Sequence, residues 1–344
     1  MWAHHTDQTA ILDTVSNMCS TFRMRWDTLR LDDDKLAGEA TGALPLLPRG
    51  AVTRTFDTPE FHGITVHEVT CRSALNKVPE ASRVPFRWTI NPYRGCTMAC
   101  RYCFARKTHE YLDLDSGRDF DTQIVVKTNV SEVLRRELAR PSWRGEHVAM
   151  GTNVDCYQRL EGRYQLMPRI IDALTERANP FSILTKGALI LRDLPLLQRA
   201  AQVTDVSAAL SIGSLDRELR GLVEPGAPPP ARRLEVVRRL VDAGIPTGVL
   251  MAPVLPFLSD TEEQIEATVA AIAASGASHV TPIVLHLRPG AREWWLAWLR
   301  RERPDLLPRY AELYRRGSYA ESGYQQRIAA TVRRVARSHG LGGG

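Results

Sequence analysis

From residue 88 onward the chain alternates short apolar runs with longer stretches of helical periodicity. The runs cover 88–91, 147–153, 181–186, 205–212, 246–254 and 279–287 and are rich in β-branched and other apolar residues. They show little polar alternation, the pattern of strands covered on both faces, as in a parallel sheet between helices. Between the runs, residues 131–139 predict a helix with Ser131 as its N-cap, and 233–241 predict a helix that stops at Gly244. The Asp-Thr-Glu-Glu of residues 260–263 predicts a capping box before an Ala/Ile-rich helix ending near Gly276. Six strand–helix units in succession imply parallel strands joined by right-handed crossovers. About 200 residues is too short for a typical eight-unit barrel of ~250. The expected fold is therefore α/β, a partial (β/α)6 barrel of the TIM type. Reactive groups in such barrels gather at the C-terminal ends of the strands.

The pattern divides the chain into four parts. Residues 1–50 have weak periodicity and an acidic run, Asp32-Asp33-Asp34, and are read as a loosely ordered N-terminal extension. Residues 51–87 are expected to be lead-in strands and loops, 88–290 the core, and 291–344 C-terminal helices. Of the 344 residues, 44% are hydrophobic and 24% charged, which excludes wholesale disorder. The longest apolar stretch, 248–258, is interrupted by Pro253 and Pro256 and is too short to span a bilayer. The first ten residues lack a basic region followed by an apolar block, so a cytoplasmic location is expected.

The six cysteines are Cys19, Cys71, Cys96, Cys100, Cys103 and Cys156. A disulfide framework is not expected in a cytosolic chain of this size. Three of the six form C-x3-C-x2-C directly after the first strand, within Asn91-Pro-Tyr-Arg-Gly-Cys96-Thr-Met-Ala-Cys100-Arg-Tyr-Cys103-Phe. Three thiolates this close suit a soft or borderline metal. A structural zinc ion and an electron-transfer [4Fe–4S] cluster each take four protein ligands. His109, Cys71 and Cys156 are the candidates for a fourth, although free cysteine is usually a small buried hydrophobe. With three ligands only, one iron of a cluster is left for a reactive molecule.

This cysteine spacing, with an aromatic before the last cysteine and on the loop after the first strand of a (β/α)6 barrel, resembles that of the radical S-adenosylmethionine (radical SAM) enzymes. The resemblance spans about residues 85–290. Within that superfamily the chain is most similar to spore photoproduct lyase and its bacterial relatives, through the stretches Gly151-Thr-Asn-Val-Asp-Cys-Tyr-Gln158, Ile183-Leu-Thr-Lys-Gly187, Leu189-Ile-Leu-Arg-Asp193 and Gly248-Val-Leu-Met-Ala-Pro-Val-Leu-Pro256. The resemblance implies that Cys96, Cys100 and Cys103 ligate a [4Fe–4S] cluster whose open iron binds S-adenosylmethionine. One electron, from a reductant such as ferredoxin or flavodoxin, then yields methionine and a 5′-deoxyadenosyl radical that takes hydrogen from a substrate.

By position, Tyr102 resembles an aromatic packed near adenine, and Gly151, Thr152 and Asn153 the contact to the methionyl amino group. Lys186 resembles a carboxylate partner, Ser207 a ribose contact, and Ala252-Pro253-Val254 a backbone contact to adenine. Lys186 is one of only five lysines among 45 basic residues, so composition does not account for it. The lyase uses a cysteine at the end of its second strand as hydrogen donor; here that strand ends in Gly151-Thr152. Thymine-dimer repair is therefore not implied. Cys156, a few residues on, is a candidate catalytic thiol or an inert packing residue.

Charge adds a competing reading. Residues 291–344 hold 11 Arg against 5 Asp or Glu, which accounts for the whole net charge of +6. Trp294, Trp295 and Trp298 lie among these arginines, a combination that can stack bases and neutralise phosphates. The alternatives are thus a non-catalytic Fe–S or nucleic-acid-binding protein, and a lyase-like enzyme acting on DNA or RNA. Helical spacing gives the simpler account of the tryptophans, an apolar face packed across the barrel mouth.

Overall fold

The computed structural model describes residues 47, 50–80 and 84–343. The expected N-terminal extension, with Cys19 in it, lies almost wholly outside the described residues. The core is an eight-stranded sheet. Its six central strands are β4 (Trp88–Ile90), β7 (Val148–Met150), β8 (Phe181–Thr185), β9 (Val206–Ser211), β10 (Thr247–Val254) and β11 (His279–Val284). They pair in that order and all in parallel, as the six apolar runs predict. Antiparallel β3 (Leu75–Lys77) covers one edge, and parallel β12 (Gly342–Gly343) the other.

Side-chain alternation explains the layering. Ile90, Met150, Ile183 and Ala208 are in register and belong to the main core, together with helix residues such as Ile170, Ile171, Leu197 and Val236. The next positions down, Thr89, Ala149, Ser182 and Ser207, share the opposite face. On that face Ala149 packs with Val78, Val84 and Phe86.

A second sheet has the order β1-β2-β6-β5, from β1 (Val52–Thr55), β2 (Thr65–Val69), β5 (Tyr93–Arg94) and β6 (Gln123–Lys127). It knits residues before β4 to the excursion between β4 and β7. The segment that follows the first core strand is thereby braced on both sides.

Two helix starts differ from the sequence expectation. The helix Val130–Leu138 has Asn129 at its N-cap position, and Ser131 is buried inside its first turn. The Asn129 side chain makes no cap bond because it ties the Cys71 backbone, accepting from its N–H at 2.7 Å and donating to its C=O at 3.1 Å. In the helix Glu262–Ala274 the box pairs Thr261 with Gln264, not Glu263; Thr261 Oγ1 accepts from Gln264 N and Gln264 Oε1 accepts from Thr261 N. The helix Pro230–Asp242 stops as expected, with Gly244 at φ +80°.

Three helices close the chain, Ala291–Glu302, Leu307–Leu313 and Ser322–Ser338. Trp295 and Trp298 are buried, stacked 4.7 Å apart between ring centroids, and Trp295 meets Tyr102 edge-on at 6.4 Å. Trp295 and Trp298 therefore pack inward and are not available to stack bases, while Trp294 is half-buried against Arg101 and Arg106. Among the described residues no helix is long and apolar enough to cross a membrane.

Candidate functional site

The cysteine segment leaves β5 through Gly95, whose φ of +80° suits glycine; a Cβ there would stand 2.8 Å from Ile124 Cδ1. One flank of the loop is held by Gln158, which accepts from Thr97 N at 2.9 Å and donates to Gly95 O at 3.0 Å. The other flank is held by the turn after the helix Arg217–Val223. There Gly226 N donates to Met98 O at 3.1 Å, and Arg101 N donates to Val223 O at 2.9 Å. A Cβ at Gly226 would lie 2.0 Å from Thr97 O, so only glycine allows that approach. Between these braces Cys96 and Cys100 are buried and Cys103 is half-buried.

Burial pushes all three thiols up, Cys100 to about 12 despite the attraction of Lys186. They are poor nucleophiles as free thiols, whereas a bound metal deprotonates a coordinating thiol outright. Of the fourth-ligand candidates, His109 and Cys71 are engaged away from the three-cysteine loop. His109 is engaged through Nε2 with Gln123 O at 2.8 Å and packs on Phe120. Cys71 sits at Asn129, in the field of Lys127 and Glu137. Among the described residues, no three His, Cys, Asp or Glu side chains converge closely enough to share one metal ion. Three soft donors lie together on one braced turn, and a thiolate set of this kind suits iron–sulfur chemistry.

Lys186 follows β8 at the C-terminal end. Its backbone N donates to Asp155 Oδ2 at 2.7 Å, and Asp155 also accepts from Thr185 Oγ1 at 2.6 Å and Tyr157 N at 2.9 Å. Its Nζ lies 5.8 Å from the centre of the Tyr102 ring. Burial alone lowers its pKa, but attraction to Cys100 and Glu224 outweighs that and raises it. Among the described residues no carboxylate stands within ion-pair distance of this ammonium. Tyr102 donates to Glu224, and Glu224 pairs with the buried Arg233. Arg233 also donates to Ser211 O at 3.0 Å and Pro228 O at 2.8 Å, so one guanidinium ties the end of β9 to the Glu224 turn.

The remaining predicted residues divide. Gly151 directly follows β7 at φ +76°, and a Cβ there would lie 1.8 Å from Leu184 O. Thr152 and Asn153 follow, half-buried, and Thr152 Oγ1 is a buried hydroxyl without a hydrogen-bond partner. These three stand at the C-terminal end beside Lys186. Ser207 does not join them. It is the second residue of β9, paired with Ser182, while Thr185 pairs with Leu210. At about 3.3 Å per residue it lies some 13 Å down the strand from the level of Lys186. The serine at the mouth is Ser211, whose Oγ donates to Ala252 O at 2.8 Å. Cys156 is fully buried, and its thiol is pushed up by burial and then by Asp155 and Glu161. It sits under the loop in the field of Cys96, not in the open mouth.

Sequence reasoning missed Asp155, Gln158, Glu224, Arg233 and Arg106. Gln158 and Glu224 act across 61 to 122 residues, and Asp155 across about 30, so spacing alone does not reveal their partners. Beside Tyr102 lies a small cleft, open to solvent and lined by Gly213, Ser214, Arg220, Glu224, Pro253 and Ser259 among others.

A three-cysteine loop at the mouth of a six-stranded open barrel defines the class, and the chain belongs to the Radical SAM superfamily, whose family model matches residues 90–272. The chain is 54% identical over 302 residues, 88% of this chain and 89% of the other, to an uncharacterized protein of Mycobacterium tuberculosis strain H37Rv. It is 27% identical to an uncharacterized protein of Methanocaldococcus jannaschii, over 58% of this chain and 71% of that one. Among solved structures it is similar in fold to spore photoproduct lyase complexed with dinucleoside spore photoproduct, with a TM-score of 0.62, 16% identity, and coverage of 81% of this chain and 80% of that one.

Proposed function

We propose that this protein is a radical SAM enzyme in which Cys96, Cys100 and Cys103 hold a [4Fe–4S] cluster and the adjoining cleft takes S-adenosylmethionine. Such a cluster supplies one-electron reductive cleavage of the bound sulfonium, giving methionine and a 5′-deoxyadenosyl radical that abstracts hydrogen from substrate. The observation that carries the reading is the Lys186 ammonium. It is raised, lacks an ion-pair partner among the described residues, and stands beside Cys100. It is ready for the cofactor carboxylate through a charge-assisted hydrogen bond.

The chain's own residues then divide the work. The Thr152 hydroxyl and the Gly151–Asn153 turn meet the amino group. Tyr102, held by Glu224, bounds the cleft beside the cluster. Ser211, Ser214 and Pro253 replace Ser207 as the residues facing the nucleoside end. The tail helix covers Tyr102 and keeps bulk water from that side. Cys156, fully buried, serves as packing beneath the loop. The electron comes from a small one-electron carrier of the ferredoxin or flavodoxin type.

The test is anaerobic reconstitution with iron and sulfide, reduction with dithionite, and chromatography for 5′-deoxyadenosine. The nucleoside should appear only with cluster, reductant and S-adenosylmethionine together. Its absence from cluster-loaded, reduced protein would leave a non-catalytic Fe–S protein.

A further inference from the structure

Arg106 is fully buried, three residues beyond the last cysteine. Its guanidinium donates twice to the carbonyl of Cys100, from Nε at 3.1 Å and from Nη2 at 2.8 Å. Nη2 also meets both carboxylate oxygens of Asp121, at 2.8 and 3.0 Å. Nη1 donates to Gly117 O at 2.5 Å. The guanidinium carbon lies 5.2 Å from the Phe120 ring centre and 5.1 Å from that of Trp294. Arg101 reaches the same indole at 5.7 Å and the same carboxylate at 3.9 Å. Trp294 is pressed against Gly117, where a Cβ would lie 2.7 Å from the indole ring.

Trp294 belongs to the tail helix, outside the residues that the family model matches. A structural role alone would explain one buried ion pair. It would not require the positive end to be bonded to a cysteine-ligand carbonyl, or an indole from a distant helix to seal the pair. Charges in such a dry site act at low effective dielectric. Net charge, hydrogen bonding and solvent exposure set the reduction potential of an Fe–S cluster, and outer groups tune it through the ligands they hold.

We infer that the Arg106–Asp121 pair, sealed by Trp294, sets the reduction potential of the cluster, Arg106 acting as a positioning and tuning residue through the Cys100 carbonyl. The inference rests on the cluster reading above. With the positive end toward the ligand turn, the pair favours the reduced, more negative cluster and so eases electron entry from a weak donor. The tail is in this account a part of the redox site.

The test uses full-length reconstituted protein and a potentiometric titration followed by electron paramagnetic resonance, with iron counted in every sample. Arg106→Gln should keep its iron and shift the midpoint to more negative potential. Asp121→Asn should shift it to more positive potential. Trp294→Ala should make the midpoint depend on ionic strength where that of the wild type does not, because salt then reaches the pair. If Arg106→Gln loses the cluster, Arg106→Lys keeps the charge and should give a midpoint near the wild-type value. Midpoints that are unchanged in these variants, or that shift in the same direction for Arg106→Gln and Asp121→Asn, would overturn the inference while leaving the cluster in place. Wild-type protein that takes up no iron would defeat the cluster reading first, and this one with it.

Discussion

Lys186 and Lys127 both lie at the C-terminal end of a strand paired in parallel, β8 and β6, and both ammonium groups are withdrawn from water. Their surroundings push them in opposite directions. At Lys127 burial lowers the pKa, with Arg94 adding to the effect and Cys71 and Glu137 opposing it. At Lys186 burial also lowers it, but Cys100 and Glu224 more than reverse the effect. The two regions show that a rare lysine at a strand end is not by itself a binding group. The balance between burial and the attraction of nearby anionic groups decides. Lys186 stays cationic beside the cysteine loop, while at Lys127, the last residue of β6, burial outweighs the attraction of Cys71 and Glu137.

The strongest way to break this contrast is to remove the charge framework around Lys186. Arg233→Met leaves Glu224 buried without its ion-pair partner and should cost about 3–5 kcal/mol of stability. Urea unfolding checks this, and the double variant Arg233→Met/Glu224→Gln should recover much of the loss. A single variant as stable as wild type would show that the pair is not the anchor of the Tyr102 turn.

Next in size is Lys186→Ala. Iron content and cluster absorbance should be unchanged, while S-adenosylmethionine affinity falls by roughly 10–150-fold, the loss of one charge-assisted bond of about 1.5–3 kcal/mol. Equilibrium dialysis measures it. Lys127→Met should leave that affinity alone, and a comparable fall there would erase the distinction between the two sites.

The smallest effects are those of pH and of Lys127 on stability. A raised lysine contributes its charge fully below the ordinary pKa of 10.5 and loses it only as pH rises through the higher folded value. Affinity should therefore be flat from pH 6 to about 9 on account of Lys186. The lowered Lys127 is a charge that the folded state disfavours. Lys127→Met should change stability by no more than about 1 kcal/mol, checked by thermal unfolding at pH 7.

What could be read from the sequence was what is local. A strand buried on both faces writes itself as a continuous apolar run, so all six barrel strands were visible. Metal-ligand spacing is likewise local, and Cys96, Cys100 and Cys103 stood out at once. The braces were not visible, because Gln158 reaches the loop from about 60 residues away, Glu224 reaches Tyr102 from 122, and Trp294 covers Arg106 from a helix beyond the barrel. The β5–β6 pairing was hidden because β5 has only two residues. Ser207 was misplaced for a different reason. A run marks where a strand lies but not which of its serines reaches the mouth, and register with β8 shows that it is Ser211. Ser131 is not the cap because the helix already begins at Val130, one residue earlier, which puts Ser131 inside the first turn.

The most direct test of the account is the iron stoichiometry of a cysteine series after anaerobic reconstitution. Wild type, Cys71→Ala and Cys156→Ala should each retain about four irons per chain. Cys96→Ala, Cys100→Ala and Cys103→Ala should each lose the cluster. Full iron retention in Cys100→Ala would contradict the assignment of these three thiols as the cluster ligands.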